Sequence, residues 1–258
     1  MNKIQTELSA YVLALADDEL ILGHRDSQWC GQAPILEEDI AFANIALDEI
    51  GHAGLWYGLY ADLTGQDSET TPDRLIYHRP VREFQCAPLV ELPNGDWAFS
   101  MLRQYLFDCA EVVRLFRLAE SGQLQLAAIA EKVAKEELYH LRHTQAWVER
   151  LGQGSAESHR RMQLALLALW PYTASLFQHG AGEPALAAAG LIPTSSLVRR
   201  DWQDKVLPLL AACDLALPET KTHSPAESGY GRGQHHHGFS ALIAELQSVA
   251  RQDPQATW

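Results

Sequence analysis

The sequence predicts an all-α protein built on a four-helix bundle with one long crossover and further helices after it. Three observations carry that prediction. Apolar residues recur with helical periodicity along most of the 258 residues, and alternating strand patterns are few. The patterned segments are long and are separated by Gly, Pro and Asn. Two of them hold the same pair, Glu49-Ile50-Gly51-His52 and Glu137-Leu138-Tyr139-His140. Residues three apart lie one turn apart on a single helix face, so each pair presents a carboxylate and an imidazole side by side.

The elements follow in order. The first helix is expected from about Thr6 to Gly23, and a loop through Trp29, Cys30 and Pro34 comes next. The second runs from about Leu36 to Leu63 and stops near Gly65. Residues 66–95 read as irregular, because Pro72, Pro80, Pro88 and the turn Pro93-Asn94-Gly95 interrupt them. The third helix is expected from Trp97 to Glu120 and the fourth from Leu124 to Leu151. A fifth is expected over Ala156–Gln178, then helical pieces near Pro184–Ala189 and Ser195–Ala212, and a last amphipathic helix over Ser240–Arg251. The stretch from His223 to Gly238 is rich in Gly, Ser and His and reads as a loop, with His235, His236 and His237 exposed. Two long hairpins joined by a crossover of about thirty residues make a ferritin-like bundle. We expect a single domain over 1–258, with its bundle core at about 6–151 and a helical extension at about 156–258.

Composition narrows the class. The chain is 47% hydrophobic and 21% charged, as in globular proteins with a sizeable core. No stretch approaches the ~20 apolar residues of a membrane span. The apolar run Tyr11–Ala16 is short and meets Asp17-Asp18-Glu19, unlike a secretory signal. Cys30, Cys86, Cys109 and Cys213 are far apart and form no C-x-x-C pair, so reduced thiols and a cytoplasmic location are expected. A formal net charge of −13 argues against nucleic acid and anionic lipid as partners.

The paired motifs pose a sharper question. Helices joined by short loops run antiparallel, so residues about thirty apart reach the same height at 1.5 Å rise per residue. Counting back from Glu49 reaches Glu19, and counting back from Glu137 reaches Asp108. Glu19, Glu49 and His52 would form one half-site, and Asp108, Glu137 and His140 the other. Four carboxylates and two imidazoles are the donor set of a di-iron or di-manganese carboxylate centre, mixed metals included. One Glu-x-x-His match arises by chance easily in a chain with 11 His. The gapless alignment of Ala46–His52 with Ala134–His140, each with an acidic residue upstream, is harder to reach by chance. An acid in a neighbourhood such as Tyr105-Leu106-Phe107-Asp108-Cys109 is costly unless paired or metal-bound.

Rivals and neighbours need placing. Asp17 and Asp18 compete with Glu19. Glu111, one turn along the same face, competes with Asp108. Asp48 and Glu136 point about 100° away from the ligand glutamates, and they suit hydrogen bonds to the imidazoles. Glu37 and Glu38 suit the helix N-terminus. Ile45, Gly51, Leu55 and Phe107 are candidate lining residues, with Gly51 leaving space beside His52.

The stretch Asp18-Glu19-Leu20-Ile21-Leu22-Gly23, Trp29, Ala33-Pro34, Asp48 to Gly54 and Lys135 to His140 resembles the phenylacetyl-CoA epoxidase family over nearly the whole chain. That family has two related ferritin-like chains, a catalytic A type and a C type. Leu92 to Ala98, Arg103 to Asp108, Tyr139 to Arg142, Trp147 to Gly152 and the end at Trp258 look like the C type. Familiar C-type chains have lost several ligands and serve as structural partners, whereas here every A-type ligand position is filled. The A type uses aspartate on the third helix, which favours Asp108 over Glu111.

The resemblance implies two iron ions bridged by Glu49 and Glu137. It implies O2-dependent epoxidation or hydroxylation of an aromatic acyl-CoA-like substrate, electrons from an external reductase, and assembly as a homo-oligomer or with a related ferritin-like subunit. The alternative it implies is a non-catalytic C-type scaffold for an A-type partner. Lys132, Lys135, Arg142 and Arg160 are the basic residues that could meet substrate phosphates.

Overall fold

The structure, a computed structural model, describes residues 2–219 and 231–253. Four long helices form the frame: α1 (Lys3–Ser27), α2 (Leu36–Thr64), α5 (Trp97–Leu118) and α6 (Leu124–Gly152). Between α2 and α5 lie two short helices, α3 (Thr71–Tyr77) and α4 (Pro88–Glu91), with a 3₁₀ turn at Val81–Glu83 between them. After the frame come α7 (Ala156–Leu169), a 3₁₀ stretch Trp170–Phe177, α8 (Glu183–Ala188), α9 (Ser195–Ala212), α10 (Phe239–Leu246) and α11 (Ser248–Gln252). No strand occurs among the described residues. Helix α1 packs along α2, and α5 along α6, as two hairpins joined by the crossover. This is the ferritin-like helical bundle.

Local chemistry sets the helix ends. Asn2 caps α1 by accepting from Gln5 N at 2.8 Å, Asp96 caps α5 by accepting from Phe99 N at 3.0 Å, and Ser155 caps α7 by accepting from Ser158 N at 3.1 Å. The Asn2 cap starts the first helix earlier than its apolar pattern suggests. Gly65, at φ 68°, ends α2 in the left-handed conformation that glycine enters freely.

Three expected spans differ. The expected fifth helix stops at Leu169, because Pro171 cannot donate a backbone hydrogen bond and the chain tightens into the 3₁₀ stretch. The last helix is broken at Gln247, which is fully buried and donates Nε2 to Ile76 O (2.9 Å) and Arg79 O (3.0 Å). The crossover is more ordered than expected: Pro72 and Pro88 sit in the first turns of α3 and α4, where a missing N–H costs nothing. Of the loop expected at 223–238, residues 223–230 lie outside the described residues.

One apolar core runs from Leu8 on α1 through all four long helices to Ile243 on α10. Trp202 of α9 is buried in it and donates Nε1 to Leu106 O at 2.9 Å, which ties the extension to α5. A smaller cluster of Phe42, Ile45 and Met101 is covered by Trp29, Trp97 and Trp147. No helix among the described residues is long and apolar enough to cross a membrane.

Helices α1 and α2 approach most tightly at Gly23. A Cβ there would stand 2.9 Å from Glu49 Cβ and 3.0 Å from Ala46 O. The two helices therefore meet beside Glu49 only because residue 23 lacks a side chain.

Candidate metal centre

Six residues expected from spacing converge inside the frame. Glu19 comes from α1, Glu49 and His52 from α2, Asp108 from α5, and Glu137 and His140 from α6. None is more than 1% exposed. Donor atoms of Glu19, Glu49, His52 and Glu137 all lie within 4.8 Å of one another. Both imidazoles turn Nδ1 inward. His52 Nδ1 stands 3.3 Å from Glu137 Oε1 and 3.7 Å from Glu19 Oε2. His140 Nδ1 stands 3.2 Å from the same Glu137 oxygen and 3.6 Å from Glu49 Oε1. Glu137 thus sits between two rings whose centroids are 5.9 Å apart.

The outward nitrogens are held across the helix pair. Glu136 on α6 reaches His52 Nε2 on α2 at 2.7 Å, and Asp48 on α2 reaches His140 Nε2 on α6 at 3.3 Å. A carboxylate on Nε2 favours the tautomer with its proton there, leaving the Nδ1 lone pair for a cation. Both carboxylates are about half exposed, at 45% for Glu136 and 42% for Asp48, so they link the buried rings to solvent.

Asp108 is placed differently. Its Oδ1 accepts from Gln104 Nε2 at 2.8 Å and its Oδ2 from Thr144 Oγ1 at 2.7 Å. Gln104 Nε2 also donates to Glu49 Oε1 at 2.7 Å, so one amide stitches the two half-sites together. The rival acids are spoken for. Asp17 pairs with Arg79 and accepts from Tyr57 and Gln85 N. Asp18 binds Arg232 at 2.7 Å and accepts from Ala87 N at 2.6 Å. Glu111 pairs with Arg114, which also donates to Leu176 O.

The electrostatics are those of a site wanting positive charge. Burial pushes the Glu19 carboxyl well up, and the neighbouring Glu49 and Glu137 push it further. Asp108 is likewise raised, first by burial and then by Glu137. Burial also acts to raise Glu137, but His140 and His52 outweigh it and hold that carboxyl at about 2. Burial lowers His52 and His140, yet the surrounding carboxylates win and both rings are raised. Both oxygens of Glu19, Glu49 Oε2 and Glu137 Oε2 are buried with no hydrogen-bond partner. Orphaned buried carboxylate oxygens are rare unless something absent from the protein satisfies them. Four carboxylates also balance the charge of two divalent cations.

An apolar cluster lies nearby along the same helices: Phe42 and Met101 are two turns before Glu49 and Asp108, and Trp147 is two turns after His140. Gly51 does not line the site as expected: it is exposed on the outer face of α2, because three positions before Gly54 and one before His52 puts it on the solvent side. Lys132, Lys135, Arg142 and Arg160 are exposed, and Arg160 pairs with Glu157 at 2.9 Å.

The whole chain, residues 1–258, matches the family described as "Phenylacetic acid catabolic protein". The chain belongs to that family. It is 38% identical over 252 residues to the C subunit of 1,2-phenylacetyl-CoA epoxidase from Escherichia coli (strain K12), covering 98% of this chain and 99% of the relative. It is 23% identical over 222 residues to the A subunit of the same enzyme, covering 84% of this chain and 70% of that one. The similarity expected from the motifs is therefore present. Within this family member, sequence reasoning missed Gln104, Thr144 and Gly23. Their signals were weak: Gln104 and Thr144 each lie one turn from a candidate ligand, at i−4 from Asp108 and i+4 from His140.

Proposed function

We propose that this chain is a metal-carrying subunit of a multicomponent oxygenase of the phenylacetyl-CoA epoxidase type. The observation that carries the reading is the set of unpartnered, buried carboxylate oxygens on Glu19, Glu49 and Glu137 facing the inward Nδ1 atoms of His52 and His140. Glu19, Glu49, His52, Asp108, Glu137 and His140 would hold two iron ions, or a manganese or mixed pair, with Asp108 exchanging its contacts to Gln104 and Thr144 for a cation. Such a pair would supply O2 activation, with one oxygen atom going to an aromatic or unsaturated acyl-CoA group and the other leaving as water with two protons, on two electrons from a separate reductase.

The residues do the rest. Glu136 and Asp48 keep the Nε2 protons in place, and the Nδ1 protons leave to solvent as cations are taken up. The apolar Phe42–Met101 cluster lies along the same helices, and a dry surrounding strengthens every charge interaction inside. Partners follow from the relatives: a related ferritin-like subunit, or a second copy. Four free cysteines support a cytoplasmic location. The apolar core shared by frame and extension supports a single domain.

Anaerobic reconstitution with Fe(II) tests the reading. About two iron ions per chain are expected; a protein that takes up none refutes it. A second reading, a scaffold without turnover of its own, is favoured by the higher identity to the C subunit than to the A subunit. In an assembled complex, Glu137→Ala separates the two. Turnover lost with assembly intact supports catalysis, and turnover unchanged supports the scaffold.

A further inference from the structure

A second group of metal-type donors lies apart from the six residues above, where the crossover meets the C-terminal segment. Cys86 comes from the crossover just before α4 and is fully buried. Glu91 is the last residue of α4 and is also fully buried. His235 comes from the histidine run that the sequence alone suggests is exposed. That expectation fails for His235: its side chain is 13% exposed, it stacks on Phe239 with centroids 4.3 Å apart, and only His237 of the three is open to solvent. The run folds back because Arg232, three residues earlier, is drawn onto Asp18, Gln85 O and Gln178 O.

The three donors point at one place. Cys86 Sγ is 3.3 Å from Glu91 Oε1, and His235 Nδ1 is 2.7 Å from the same oxygen. One atom from each lies within 4.8 Å of the other two. The second oxygen, Oε2, accepts from His236 N at 2.7 Å, which fixes the carboxylate plane. A thiol and an imidazole thus converge on a single buried carboxylate oxygen. A hydrogen-bonded anchor for Glu91 would need one good donor; a thiol is a poor one. A thiolate, an imidazole nitrogen and a carboxylate oxygen are instead the mixed donors that a borderline-soft divalent ion takes, with three protein ligands and an open fourth position.

We propose that Cys86, Glu91 and His235 form a second metal site, selective for a Zn²⁺-like ion, that clamps the C-terminal segment onto the crossover. Binding is not a redox step: the thiol gives its proton to solvent and becomes a thiolate ligand, the Nδ1 proton that faces Glu91 exchanges to Nε2 so that His235 binds through the Nδ1 lone pair, and Glu91 binds through Oε1. The thiolate and carboxylate together neutralise the ion. The site differs in kind from the carboxylate centre, since its thiolate discriminates against oxygen-seeking ions.

Cobalt(II) reads this site directly, because a thiolate on cobalt gives a near-ultraviolet charge-transfer band that an all-Glu/His centre does not. Titration of the reduced full-length chain is expected to develop that band with the intensity of one cobalt–thiolate bond per chain. Cys86→Ser should abolish it and His235→Ala should weaken binding at least ten-fold, while Glu137→Ala should leave the band unchanged. Zinc should displace the cobalt band and shield Cys86 from alkylation in the wild-type chain, as read by peptide mapping; this arm stands even where Cys86→Ser does not fold. No charge-transfer band in the wild-type protein overturns the proposal and leaves a hydrogen-bonded anchor. A band that persists in Cys86→Ser, or alkylation of Cys86 indifferent to zinc, overturns it as well.

Discussion

The two halves of the buried centre carry the same motif and differ in how their acids are satisfied. In the α1–α2 half, Glu19 has no hydrogen-bond partner for either oxygen, and it owes its position to a helix contact that only Gly23 permits. In the α5–α6 half, Asp108 has both oxygens occupied by Gln104 and Thr144. One half therefore leaves its first acid without a partner in the chain, and the other is closed by the chain itself. A carboxylate without partners destabilises the metal-free fold more than one whose hydrogen bonds offset part of its burial. The contrast makes the metal-free protein as informative as the loaded one.

The largest effects should come from exchanging these two acids for their amides. Glu19→Gln is expected to weaken iron binding by more than ~100-fold, since even partners outside the ligand shell carry about 10–100-fold. The same change should raise the metal-free Tm, by about 2–4 °C for each kcal/mol of relieved burial in a chain of this size. Asp108→Asn should raise the metal-free Tm less, because about 1 kcal/mol of lost hydrogen bonding offsets part of the relieved burial, while iron uptake falls from two to about one. Calorimetry with and without Fe(II) checks both. A metal-free Glu19→Gln that melts lower than wild type would erase the contrast.

Next in size is the pair that orients the rings. Glu136 holds His52 at 2.7 Å and Asp48 holds His140 at 3.3 Å. Glu136→Gln should therefore cost more iron affinity than Asp48→Asn, within the ~10–100-fold range of such partners. Competition against a chelator measures the order, and the reverse order would mean that the longer contact shortens when iron is bound. Gly23→Ala comes third, at about 1–3 kcal/mol of overpacking between α1 and α2. Its iron loss should fall on the Glu19 half. Equal loss from both halves would show that the hairpins move as one body.

These residues also mark how far the sequence could be read. The four long helices were legible because periodicity marks them, and a rise of 1.5 Å per residue turned spacing into height well enough to bring the donor atoms of Glu19, Glu49, His52 and Glu137 together. The surroundings of the rival acids were not, because the arginines that pair with Asp17 and Asp18, Arg79 and Arg232, are distant in sequence. The pairing of Glu111 with Arg114 also carries no motif. Gln104 carries no motif: an amide that donates to acids on two helices is visible only once both helices are placed. His235 was misplaced because a glycine-rich run is open by composition, while its actual position is decided by Arg232 and Glu91.

The smallest effect concerns the join between the halves. Asp26, near the end of α1, and Arg103, beside Gln104 on α5, form a fully buried ion pair at 3.1 Å. Burial pushes the Asp26 carboxyl from 3.8 up to about 7; Arg103 and His140 pull it down, and Glu49 adds to the rise. An acid raised on folding binds its proton more tightly in the native state than in the unfolded chain. Its contribution is therefore favourable below about pH 4 and is lost as pH rises toward about 7. Asparagine resembles the protonated acid and has no such loss. Denaturant midpoints of the metal-free protein should consequently show Asp26→Asn gaining on wild type between about pH 5 and pH 7.5, with a linked uptake of less than about one proton. A constant difference across that range would mean that Asp26 stays ionised against Arg103, and that the two hairpins are joined by charge rather than by a shared proton.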